Sequence, residues 1–200
     1  MDFSAPLLAL AGYAFVTSIT PGPNNLMLLA SGTTFGVRRS LPHLAGISAG
    51  FGVMLWAVGT GLAETFARHP QAHAVLRWVS VAYLLYLAWK TATAAPPEGE
   101  TASDSRPLGF MGAAVFQAVN PKAWAMALTA VTAFGPGLDG GLSVASLVAV
   151  FVLVNLPCCG AWLLLGKQMR RFLHQPRALR LFNGAAAALM LLSVLPLLKG

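Results

Sequence analysis

The sequence predicts an all-α integral membrane protein: six transmembrane helices forming an inverted repeat of two three-helix units, with the first and fourth helices broken. Three observations predict it. Of 200 residues, 56% are hydrophobic and only 10% charged, where a soluble domain carries roughly 25% charged. Long apolar segments alternate with short polar ones and leave room for six crossings, each helix needing about 20 apolar residues. The first and fourth segments are each interrupted by a polar residue before proline, Thr20-Pro21 and Asn120-Pro121.

The first span runs over Pro6–Ser31 and contains no charged side chain. Within it, Thr20-Pro21-Gly22-Pro23-Asn24-Asn25 cannot continue a helix, because Pro21 and Pro23 lack the amide hydrogens that the carbonyls of Thr17 and Ile19 would bond. In hydrocarbon those carbonyls need another partner, so the break must face a protected interior. The opening Met-Asp-Phe has no basic lead-in and nothing near Ser31 resembles a cleavage site, so this span is expected to be retained. Gly32–Arg39 reads as a short basic connection. The second span, Leu41–Leu62, carries Gly46-Ile47-Ser48-Ala49-Gly50, a small-residue face expected to pack within the protomer.

Glu64–Gln71 reads as a polar turn before the third span, Val75–Ala88. Tyr86, Trp89 and Lys90 anchor its end at the water boundary, while Tyr83 lies about one turn deeper and is a candidate for lining an interior pocket. Residues 91–107 are rich in Ala, Thr, Ser and Pro and form a solvated cytoplasmic linker. They divide one transporter domain, 1–200, into repeats 1–90 and 108–200.

The fourth span, Leu108–Phe134, contains Gln117-Ala118-Val119-Asn120-Pro121-Lys122-Ala123-Trp124, and Gly135–Gly141 supplies a tight turn. The fifth, Leu142–Leu165, holds Asn155-Leu156-Pro157. The sixth runs over Leu181–Leu198. With both termini outside, the cytoplasmic side holds Arg38, Arg39, Lys90, Arg106, Lys167, Arg170, Arg171, Arg177 and Arg180, and the other side only Arg68, Arg77 and Lys199. The positive-inside rule favours that orientation. It also accounts for the net charge of +7 without nucleic acid, whose binding needs basic residues gathered on one soluble face. Membrane lipid remains a natural partner of the basic ends.

Three spans per half give the halves opposite orientations, and broken helices at matched positions are how such repeats build a substrate site near the membrane midplane. Lys122 sharpens this reading. A charge at that depth costs about 2.5–3.5 kcal/mol, so it should face the interior and have a partner. Asp2, Glu64, Glu98, Glu100, Asp104 and Asp139 all lie in ends or connections, which leaves a substrate carboxylate to fill that role. Carbonyls released near Thr17, Ile19 and Gln117, with the side chains of Asn25 and Asn120, would accept an ammonium. The expected site is therefore Thr17, Thr20, Pro21, Gly22, Pro23, Asn24, Asn25, Gln117, Asn120, Pro121 and Lys122, with Tyr83 and Asn155 as candidate lining. Its ligand would be a zwitterion. The plainer alternative for Lys122 is a structural strut bound to carbonyls.

Cys158 and Cys159 are adjacent and have no ligating neighbours, so they read as small buried residues, and neither metal nor cofactor is expected. A membrane-embedded enzyme would need a His/carboxylate cluster that the spans do not offer. A structural or signalling subunit would have no use for matched breaks around an unpaired lysine.

The two break segments resemble the paired signatures of the LysE/RhtB family of amino-acid exporters. Phe35-Gly36-Val37-Arg38-Arg39-Ser40-Leu41-Pro42-His43, Ala82-Tyr83-Leu84-Leu85 through Trp89-Lys90, and Asn155-Leu156-Pro157 are similar to that family as well. The resemblance implies a bacterial inner-membrane exporter of amino acids or close derivatives, driven by the proton gradient. Some of its members prefer cysteine and O-acetylserine, and others homoserine, threonine, leucine or lysine. For proton exchange the candidates are Lys122, buried in its span, and His43, expected at the cytoplasmic interface. A second copy of the chain is a candidate partner.

Overall fold

A computed structural model describes residues 4–62, 64, 68–93, 107–136, 141–169, 176–192, 194, 195 and 198. The described residues are helical, with no strand among them. Helix α1 is Ser4–Ile19, α2 Pro23–Ala57, α3 Pro70–Ala92, α4 Phe110–Phe116, α5 Pro121–Phe134, α6 Val144–Met169 and α7 Pro176–Leu192. Most of the 91–107 linker, the turn residues 137–140 and the basic residues Arg106, Arg170, Arg171 and Lys199 lie outside the described residues.

Helix α2 is a hairpin rather than a rod. At Gly36 the backbone takes φ 75° and ψ 173°, a region open essentially to glycine alone. Across this turn Ser40 Oγ donates to Ser31 O at 3.2 Å and Ser31 Oγ meets His43 Nδ1 at 3.0 Å. In a continuous helix residues 31 and 43 would be about 18 Å apart. The expected basic connection over Gly32–Arg39 is therefore helical on both sides of a one-residue reversal. Elsewhere the helices start earlier than expected: Pro70 and Pro176 open α3 and α7, because proline suits the first helical turn, where no amide partner is needed.

Side-chain contacts give the directions of the crossings. Along α6, Phe151 meets Tyr13, Asn155 meets Ser18, Cys159 meets Asn25, and Gly166 would bring a Cβ to 2.1 Å from Leu29 O. Helix α1 and residues 23–35 thus follow one another alongside α6, parallel to it. Residues 37–57 run the opposite way, with Ser48 on Asn155 and Gly52 on Val152 and Val148. Helix α4 lies against this second arm: a Cβ on Gly46 would fall 2.2 Å from Phe110 O, and one on Gly50 2.5 Å from Ala114. The Gly46/Gly50 face therefore packs within the protomer, and only glycine permits so close an approach.

Three apolar clusters fill the interior. One joins Leu10, Phe51, Ala127, Leu147 and Phe151, a second joins Leu26, Leu84, Phe116, Ala187 and Met190, and a third joins Leu28, Ile47, Ala113 and Leu163. The outside is apolar too: Leu8, Val53, Leu153 and Leu181 are each more than 70% exposed. Such a surface suits lipid rather than water. Two stretches, Pro23–Leu62 and Val144–Met169, are long and apolar enough to cross a membrane, and the first of them is the hairpin.

Candidate functional site at the paired helix breaks

At the first break, α1 stops at Ile19 and α2 starts at Pro23. The carbonyls freed by the prolines are repaired from within the protein. Trp162 Nε1 donates to Ile19 O at 2.9 Å, Thr20 Oγ1 to Thr17 O at 3.0 Å, and Asn25 Nδ2 to Ser18 O at 2.8 Å and Thr20 O at 2.7 Å. The second break follows the same logic. Gln117–Val119 tightens into a 3-10 turn, Asn120 Oδ1 accepts from the Lys122 amide at 3.2 Å as the N-cap of α5, and Trp124 Nε1 donates to Ala118 O at 2.8 Å. Each break thus has an indole on a carbonyl just ahead of it.

The two breaks are bonded to each other. Asn24 and Gln117 form a reciprocal amide pair at 2.9 and 3.1 Å. Lys122 Nζ donates to Thr20 O at 2.8 Å, Thr20 Oγ1 at 2.9 Å and Pro21 O at 3.3 Å. Its stem lies on Gly22, where a Cβ would come within 2.8 Å of Lys122 Cδ. The Thr20 and Pro21 carbonyls of the first break and the Thr20 hydroxyl take its hydrogens, the arrangement named above as the plainer alternative for Lys122. These acceptors are neutral, and no carboxylate among the described residues pairs with the charge.

Beside this junction lies a cavity of about 20 Å³. Seven of the expected residues line it: Thr17, Gly22, Asn24, Asn25, Asn120, Lys122 and Asn155. Thr20, Pro21, Pro23, Gln117 and Pro121 shape the breaks around it. Of the acceptors foreseen for an ammonium, Ile19 O already serves Trp162, whereas Asn25 spends its N–H groups on Ser18 O and Thr20 O and keeps Oδ1, which meets only the Cys159 thiol at 3.5 Å.

Two expected residues sit elsewhere. Tyr83 stacks on Phe116 at 5.5 Å and on Tyr86 at 6.0 Å in the α3–α7 cluster, away from the cavity lining. His43 is only 1% exposed rather than interfacial, because the Gly36 reversal folds it against Ser31. Its Nε2 has no hydrogen-bond partner among the described residues. Conversely, Ser18, Phe51, Met126 and Cys159 line the cavity without having been anticipated. Cys159 follows Asn155 by one helical turn, a spacing visible in the sequence, whereas Phe51 and Met126 look like any other core residue until the helices are assembled.

Residues 15–198 match the family described as LysE type translocator. The chain belongs to the LysE family. It is 34% identical over 175 residues to the cysteine/O-acetylserine efflux protein of Salmonella typhimurium, covering 84% of this chain and 87% of that relative. The protein of the same description from Escherichia coli K12 is 34% identical over 168 residues, covering 82% and 83%. No solved structure gives a significant match. As a LysE translocator the chain is a membrane transporter and not an enzyme, and the junction of its two breaks is a polar centre among the described helices.

Proposed function

We propose that this LysE-family chain exports small neutral amino acids or close derivatives across the bacterial inner membrane by alternating access. The observation that carries the reading is the Lys122 ammonium from one break seated on three oxygens of the other. An acceptor set that holds one ammonium suits another. In this reading the amino group of the substrate takes over Thr20 O, Thr20 Oγ1 and Pro21 O, while Lys122 turns to the substrate carboxylate. Both charges of a zwitterion are then met by groups already adjacent.

The cavity is too small for an amino acid, having room for about one water. Loading therefore separates the breaks, and the Lys122 and Asn24–Gln117 links are what loading must undo. The matched breaks between α1 and α2 and between α4 and α5 support an inverted repeat of six spans, with the basic ends and both termini oriented as charge asymmetry requires. Proton exchange is assigned to Lys122, the ionisable amine on the cavity wall. The relatives' cysteine/O-acetylserine description supports a small substrate.

The test is counterflow into proteoliposomes with a panel of amino acids. Saturable exchange of small neutral amino acids is expected, and its absence across the panel refutes the reading. Lys122→Arg then separates charge from proton release, since arginine does not give up its proton at accessible pH. The variant is expected to keep exchange but lose acceleration by an imposed pH gradient, and a parental response to that gradient would remove Lys122 from coupling.

A further inference from the structure

The cavity wall formed by α6 carries a polar node that the zwitterion's two charges leave unused. Asn155, buried in the middle of α6, accepts from Ser48 Oγ at 3.0 Å and donates to Ser18 Oγ at 3.3 Å. Cys159 Sγ stands 3.5 Å from both Asn155 Oδ1 and Asn25 Oδ1. A thiol has one hydrogen and is a weak donor, so it serves only one of these carbonyl oxygens at a time. Asn25 Oδ1 is the one left short, because Asn155 Oδ1 also holds Ser48. The second N–H of Asn155 is likewise uncommitted. One acceptor and one donor thus meet at the cavity, the complement of a group that both donates and accepts. Phe51 and Met126 close the same space with apolar bulk.

We propose that Asn155, with Asn25 and Cys159 beside it, reads a hydroxyl or thiol on the substrate's side chain and so selects small polar amino acids over aliphatic ones of equal size. The proposal rests on the export reading. Asn155 acts as a specificity-determining residue: an analogue that lacks the heteroatom leaves buried polar groups unpaired, whereas a purely structural bond between helices discriminates nothing.

The test is a competition in one vesicle preparation among serine, cysteine and 2-aminobutyrate, which carries a methyl where the others have a hydroxyl or thiol. The ratio of their exchange rates does not depend on how much protein has folded. The intact protein is expected to favour serine and cysteine by about tenfold, and Asn155→Leu to bring the ratio to within about twofold, the size of one stranded polar group. If Asn155→Leu carries nothing, Asn155→Ala read by the same ratio decides. No preference in the intact protein, or an unchanged preference in the variant, overturns the proposal while leaving export intact. If the intact protein exchanges none of the panel, it is the export reading that falls.

Discussion

Replacing Lys122 with methionine sets two opposing magnitudes against each other. The ammonium makes three hydrogen bonds, but two of its acceptors keep other partners: Thr20 O retains Asn25 Nδ2 at 2.7 Å, and the Thr20 hydroxyl still donates to Thr17 O at 3.0 Å. Only Pro21 O loses the bond recorded for it, which costs about 1–3 kcal/mol. Against this, methionine removes the about 2.5–3.5 kcal/mol required to hold a charge at membrane depth. The two nearly cancel, so the stability of Lys122→Met should lie within about 2 kcal/mol of the parent. Transport should not survive. Removing one partner of a buried charge pair costs about 2–5 kcal/mol, which is roughly thirtyfold or more in kcat/KM. Thermal unfolding in detergent and counterflow of the preferred amino acid measure the two effects separately. A variant that unfolds far below the parent would make Lys122 a strut, and one that exchanges at the parental rate would take it out of the site. Either result refutes the argument.

Other substitutions test the supports. Gly166→Ala forces a Cβ onto Leu29 O and should destabilise by about 1–3 kcal/mol in a thermal melt, whereas Gly160→Ala, with nothing within 4 Å, should be neutral or slightly stabilising. Gly36→Ala should cost about 1–3 kcal/mol through its backbone angles alone, since no atom lies near its missing Cβ. Gly22→Ala should leave the melting temperature nearly unchanged but weaken substrate affinity in counterflow, because the added methyl displaces the Lys122 stem. Trp162→Phe strands Ile19 O and should lower stability by about 1–3 kcal/mol, with Trp124→Phe as the matched change at the other break.

Much of the candidate site was legible because proline, asparagine and lysine are costly at membrane depth and so announce themselves. Asn24, Asn25, Asn120, Lys122 and Asn155 could be named from that cost, Thr17 and Gly22 from their place at the proline break, and all line one cavity. What stayed hidden depended on partners distant in sequence. Nothing local says that Trp162 will cap Ile19, or that Lys122 will find its acceptors on Thr20 and Pro21. His43 was misplaced because Gly32–Arg39 looks like a polar loop, and the sharpness of the Gly36 turn is a backbone property that composition does not encode. Phe51 and Met126 were silent because an apolar residue beside a cavity has the same chemistry as one beside another helix.

The Gly36 turn has a mechanical consequence. A hairpin closed by one residue and pinned by Ser31, Ser40 and His43 has no slack at that end, so it behaves as a lever with a fixed fulcrum. Asn25 lies about 17 Å and Phe51 about 22 Å along the two arms from Gly36. A splay of about 10° there would part the arms by about 3–4 Å at the level of the cavity and by almost nothing at the basic end. This one-residue turn thus concentrates leverage on the cavity, where the export reading requires space for a substrate.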